Sequence, residues 1–116
     1  MSDKPWKAFE RWWAKKIGGK RYPANSGGPI DVYSAVWGVQ CKNVKNMSLN
    51  TICDLARSVA VDAKLMKNQQ GEIEPRLGIV GMRNRLGSGV PSTDVVIMHI
   101  SVFDELFPTG GKDGRT

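Results

Sequence analysis

Leu49, Ile52, Cys53, Ala56, Val59, Ala60, Ala63 and Met66 recur at the 3.6-residue period of an amphipathic helix. Extended runs rich in Val, Ile, Tyr and Trp lie on both sides of it, over 31–35 and 36–42 before and over 77–82 and 94–100 after. A helix between such runs hides its apolar stripe by lying on the sheet they form. This alternation restricts the fold more than any other feature of the chain. Asn46 or Ser48 can start the helix, which is expected to end before Gly71. An earlier amphipathic helix reads over 3–17, capped by Asp3 and stopped by Gly18-Gly19. Ser101-Val102-Phe103-Asp104 opens a short last helix through Phe107. The order helix, strand, strand, helix, strand, strand, helix specifies an α/β (α+β) domain. Its core is a central mixed β-sheet of about four or five strands flanked by helices.

The 116 residues suit one domain, expected over 1–107, with 108–116 a flexible C-terminal tail that lacks an apolar anchor. Hydrophobic residues at 41% with charged residues at 24% exclude an intrinsically disordered chain. No apolar run approaches the roughly 18–20 residues of a membrane span, and no signal-peptide core follows the basic start. A cytoplasmic protein without membrane contact is expected. Cys41 and Cys53 fall in different elements, each expected to be buried, which suits reduced core thiols. His99 is the one histidine and stands inside an apolar run, so neither a four-ligand zinc site nor histidine acid–base chemistry is expected.

The formal net charge of +6 is concentrated near the start. In residues 1–21, Lys4, Lys7, Arg11, Lys15, Lys16, Lys20 and Arg21 stand against Asp3 and Glu10. At about 100° per residue, Trp6, Phe9, Trp13 and Ile17 form one stripe of the first helix, expected in the core. Lys4, Lys7, Arg11 and Lys15 form a second stripe beside it, while Trp12 lies off the core stripe. A row of cations on one helix face suits a phosphate backbone as partner, or a solvated face. Glu10 sits at the border of the stripes. It can pair with Lys7 three residues away, or reach a cleft beside the core.

Gln40 and Lys42 are two apart in an extended run and so share a face, with Val39 and Cys41 on the other. If the runs over 31–35 and 36–42 pair, Asp31 lies close to both. An acid, an amide oxygen and a lysine at one sheet edge suit phosphodiester hydrolysis with Mg²⁺, which takes oxygen ligands and retains several waters. Asp31 would anchor the ion, Gln40 would add its side-chain carbonyl and Cys41 its backbone carbonyl. Lys42 would position the attacking water, help deprotonate it or stabilise the transition-state charge. Glu10 would supply a further carboxylate, directly or through water.

Residues 7–42 resemble the PD-(D/E)XK nuclease superfamily, and within it the small Holliday-junction-resolvase-like and phage-type endonucleases. The matching positions are Glu10, Arg21, Ser26-Gly27, Asp31-Val32 and Gln40-Cys41-Lys42; the run through Arg83-Asn84-Arg85 matches more loosely. The resemblance implies a restriction-endonuclease-like core and a Mg²⁺-dependent endodeoxyribonuclease, with Mn²⁺ as substitute and no small-molecule cofactor. It also implies a homodimer acting on double-stranded or branched DNA. Gln40 stands where most members carry Glu, which removes one negative charge from the metal site. Ile30, not proline, precedes Asp31.

On that reading Lys4, Lys7, Arg11 and Lys15 would track DNA phosphates without reading sequence. Arg21 and Ser26 would contact the scissile or adjacent phosphate, and Arg83 and Arg85 the other strand. Two alternatives stand beside it. One is a non-catalytic DNA-binding protein on the same fold; the other is a basic adaptor that docks a partner protein through its Trp-rich helix.

Overall fold

A computed structural model of the chain describes residues 5–22, 29–87 and 89–108. The expected Asp3 cap, Lys4, Ser26 and most of the expected tail lie outside the described residues. Helix α1 runs over Pro5–Ile17. Proline suits the first helical position because its missing N–H would have no intrahelical partner there. Gly18 ends the helix at φ 67°. Its N–H donates to the Lys15 carbonyl at 3.3 Å and that of Gly19 to the Ala14 carbonyl at 2.8 Å, the two bonds of a Schellman cap.

Five strands follow the order β1-β2-β3-β4-β5: β1 Lys20–Arg21, β2 Val32–Tyr33, β3 Trp37–Val44, β4 Leu77–Asn84 and β5 Thr93–Ile97. All pairs are antiparallel except β3 with β4. A parallel pair needs a crossover, which α2 (Leu49–Lys64) supplies. The fold is therefore α+β, a five-stranded mixed sheet flanked by three helices, the last being α3 (Ile100–Leu106). No helix among the described residues is long and apolar enough to cross a membrane.

Strand alternation sends side chains of β3 and β4 to two cores. Phe9, Trp13 and Ala14 of α1 pack with Val32, Val39, Ile79 and Val102 on one face. Val59 and Ala63 of α2 pack with Ile30, Met66, Val80 and Met82 on the other. The central strands are covered on both faces, which is why Leu77 to Met82 reads as one apolar run.

Several expectations are corrected. Residues 20–21 form a strand, not loop. Trp6 remains 46% exposed, because the close approach of α1 is set at Trp13, seated over Gly81 about two turns further on. Ser48 does cap α2, accepting from the Thr51 N–H at 3.2 Å. The helix ends at Lys64, well before Gly71. Asn68 Oδ1 accepts from the Gln70 and Glu72 N–H groups, offering the backbone a turn that competes with helix. Leu49 and Cys53 are exposed, so only Cys41 of the two thiols is even partly buried. Arg83 and Asn84 extend β4 instead of opening a loop. Residues 94–97 belong to a largely exposed edge strand, since the helices pack over β1 to β4. His99 lies outside that strand and caps α3, its Nδ1 accepting from the Ser101 N–H.

Arg76 is 5% exposed and ties the β2–β3 turn to the chain entering β4. Its guanidinium donates to the Ser34 carbonyl at 2.6 Å, the Glu74 carbonyl at 3.0 Å and Glu74 Oε1 at 2.9 Å. Gly78 lets α2 reach the sheet, because a Cβ there would land on the Val59 carbonyl. Gly78→Ala is expected to lower stability by about 1–3 kcal/mol through this overpacking. Urea denaturation should show a lower midpoint at unchanged slope; an unchanged midpoint would mean that α2 yields freely.

Candidate functional site

Asp31 sits immediately before β2, with both backbone groups committed. Its N–H donates to the Val39 carbonyl and its carbonyl accepts from the Tyr22 N–H, both at 2.9 Å. The β2–β3 register runs to Val32 opposite Val39, and the Asp31 N–H also reaches the Val39 carbonyl, which leaves Asp31 beside the Val39–Gln40 step of β3. Here the Asp31 side chain replaces the missing strand: Oδ2 accepts the Cys41 N–H at 2.8 Å. N–H and C=O of one strand residue point to the same edge, so the Cys41 carbonyl is directed to the Asp31 edge as well.

Burial is the main influence on Asp31 and raises its pKa above the ordinary 3.8. The Cys41 N–H opposes that rise, the Glu10 charge adds to it, and Lys42 and Arg21 oppose it. Glu10, Arg21, Asp31 and Lys42 therefore share one electrostatic neighbourhood. Glu10 does not pair with Lys7; its Oε1 accepts from Nε of Arg21 at 3.0 Å and lies 3.0 Å from Nη2 in the same ion pair. Burial, with the Asp31 and Glu10 charges, also pushes the Cys41 thiol up, so it stays protonated and offers no thiolate.

Gln40 and Lys42 share the α2 face of β3, with Val39 and Cys41 on the α1 face. Gln40 is only 9% exposed, and its Oε1 has no hydrogen-bond partner among the described residues. A buried, unsatisfied amide oxygen costs about 1–3 kcal/mol. Trp13 Nε1 and Asn43 Oδ1 are orphaned too. No group of three or more His, Cys, Asp and Glu side chains gathers among the described residues. The oxygens at neighbouring positions of this edge are the Asp31 carboxylate, the Cys41 carbonyl and, on the α2 face, the Gln40 amide oxygen. That set fits a hard divalent cation and not a soft one.

The other expected contacts are dispersed. Lys7, Arg11 and Lys15 follow one another along α1; Arg11 and Lys15 are exposed, and Lys7 Nζ lies 5.5 Å from the Trp6 ring. Arg83 is committed elsewhere, donating to both Asp94 oxygens at 2.7 and 2.9 Å and stacking 4.4 Å above Phe9. Arg85 is exposed just past β4. Sequence reasoning missed the Glu10–Arg21 pair and the Tyr22–Tyr33 ring stack at 4.6 Å. The alternation of Lys20, Arg21 and Tyr22 was the available signal for the short strand that carries them. Comparison of the chain with family models, curated proteins and solved structures finds no match.

The raised Asp31 pKa carries a sign. Its contribution to stability is complete below the ordinary value and is lost as pH rises through the native one. Asp31→Asn keeps an acceptor for the Cys41 N–H and abolishes the titration. In chelator, its melting temperature should match wild type near pH 4 and exceed it near pH 7. A lower value at pH 7 would show that the native fold favours the charged carboxylate.

Proposed function

We propose that this chain is a metal-dependent endodeoxyribonuclease that hydrolyses DNA phosphodiester bonds and selects DNA by structure, with branched and junction DNA as its substrate class. The observation that supports it most is the orphaned, buried Gln40 Oε1, on the residue next to Cys41, whose N–H the Asp31 carboxylate accepts. Asp31, Gln40 and the Cys41 carbonyl would hold the cation, and Glu10 would supply a further carboxylate. Bound Mg²⁺, or Mn²⁺ in its place, supplies the charge that polarises the phosphate and acidifies water. Lys42, in the field of Asp31, orients or deprotonates that water, or neutralises charge on the phosphate. Arg21 steadies Glu10 and brings a cation beside the phosphate. Lys7, Arg11 and Lys15 position the backbone without reading bases. Two copies of the chain serve the two strands of a junction.

A second reading has its own support. Glu10 is neutralised by Arg21 and Gln40 carries no charge, which leaves Asp31, with Lys42 in its field, as the site's carboxylate outside an ion pair among the described residues. A protein that binds DNA on this fold without cutting it would look the same.

A cleavage panel of linear, flapped and four-way DNA with Mg²⁺ or Mn²⁺ separates the two. Asp31→Ala and Lys42→Ala should each reduce cleavage by about 10²–10⁴-fold with DNA binding retained. Gln40→Glu should lower the Mg²⁺ concentration needed for half-maximal cleavage, by adding a charge to a ligand position. DNA binding without cleavage under either metal would favour the non-catalytic reading. Absence of salt-dependent DNA binding would favour a protein partner for the Trp-rich helix.

A further inference from the structure

Beside Asp31, at the β1–β2 edge of the sheet, a groove of about 680 Å³ is lined by Lys20, Tyr22, Tyr33, Lys67, Gln70 and Arg76 among others. Its volume falls within the roughly 300–1,000 Å³ of small-molecule sites. Its walls are fixed by bonds already described. Lys20 pairs with Tyr33 in the β1–β2 register, and the Tyr22 N–H is bonded to the Asp31 carbonyl. Arg76 stacks 5.5 Å from the Tyr33 ring and spends its donors on Ser34 and Glu74. Gly19 allows the wall to close, because a Cβ there would strike the Tyr33 carbonyl.

The chemistry of the lining is specific. Tyr22 and Tyr33 stack at 4.6 Å and 30°, and both are partly buried, packed against the α2-side core. Lys20 and Lys67 are exposed and take part in none of the ion pairs among the described residues. The one acid among the described residues of the lining, Glu74, is held by Arg76. Aromatic faces beside uncompensated ammonium groups suit a planar base with a phosphate attached. A paired base presents only its edges, so a base that reaches these rings is unpaired.

We propose that this groove receives an unpaired nucleotide of the DNA strand that runs to Asp31, its base against the Tyr22–Tyr33 pair and its phosphates toward Lys20 and Lys67. The identity of the strand rests on the endonuclease reading. The groove then gives the protein its preference for flaps and branch points, where unpaired nucleotides occur next to duplex. The row along α1 holds the duplex arm.

The test is fluorescence anisotropy with the full chain in chelator, so that nothing is cut. Three DNAs are compared: a blunt duplex, the same duplex with a short single-stranded flap, and that flap with abasic positions in place of its bases. The flapped DNA should bind about 5- to 100-fold tighter than the blunt duplex, the range for stacking one base on an aromatic side chain. The abasic flap should lose that gain. Tyr33→Ala should lose it too, while Tyr33→Phe keeps it. Lys20→Ala with Lys67→Ala should reduce the salt dependence of flap binding and leave that of the blunt duplex unchanged. Equal binding of the abasic and natural flaps by wild-type protein overturns the proposal, and this comparison needs no variant to fold. The two readings fail separately. Flap preference without cleavage in Mg²⁺ keeps the groove and removes the endonuclease; cleavage without flap preference does the reverse.

Discussion

The Asp31 carboxylate takes the Cys41 N–H that a longer β2 would have taken. The rest of the site depends on that substitution of side chain for strand. It lets β2 stop after two residues while β3 continues to Val44, and it holds the acid in the plane of the sheet edge. Gln40 and Lys42 emerge beside it because they occupy alternate positions of β3. Burial makes the Asp31 charge unfavourable, with Glu10 adding to the effect. The site therefore holds an unwelcome carboxylate bonded to the Cys41 N–H and an unsatisfied amide oxygen on the adjacent Gln40. Each is costly alone, and one hard cation would relieve both.

The two-faced sheet keeps this arrangement rigid. Cores on both faces cover β3 and β4, and Gly78 and Gly81 let α2 and Trp13 approach the backbone closely. Arg76 ties the β2–β3 turn to the chain entering β4, with one hydrogen bond to the Ser34 carbonyl and two to Glu74. The same turn shapes the tyrosine-lined groove. Site and groove are thus consecutive surfaces of one edge, joined by the bond between Tyr22 and Asp31.

Elements with a strong period or a capping residue were legible in the sequence. The apolar stripe of α2, its Ser48 cap, the Gly18-Gly19 stop and the apolar body of β4 all follow from local chemistry. What was not legible depended on distant partners. A two-residue strand such as β1 has no period to read. Apolar Val95 and Val96 suggested burial, but whether a helix covers them is a property of the sheet. Nothing local marks Arg76, because the Ser34 carbonyl that it binds lies 42 positions away in the chain. In the candidate site, spacing brought Asp31, Gln40 and Lys42 into view. It did not show that Gln40 is buried without a partner, or that Glu10 belongs to Arg21 and not to Lys7.

The central claim is that Asp31 and Gln40 form an oxygen site for a divalent cation. The most direct measurement is an anomalous difference map from crystals of the chain grown with Mn²⁺. A peak within roughly 2.0–2.3 Å of Asp31 and Gln40 Oε1, lost in Asp31→Ala crystals, is the result this account predicts. Saturating Mn²⁺ with no peak there, and Gln40 Oε1 hydrogen-bonded to an ordered water, would contradict it.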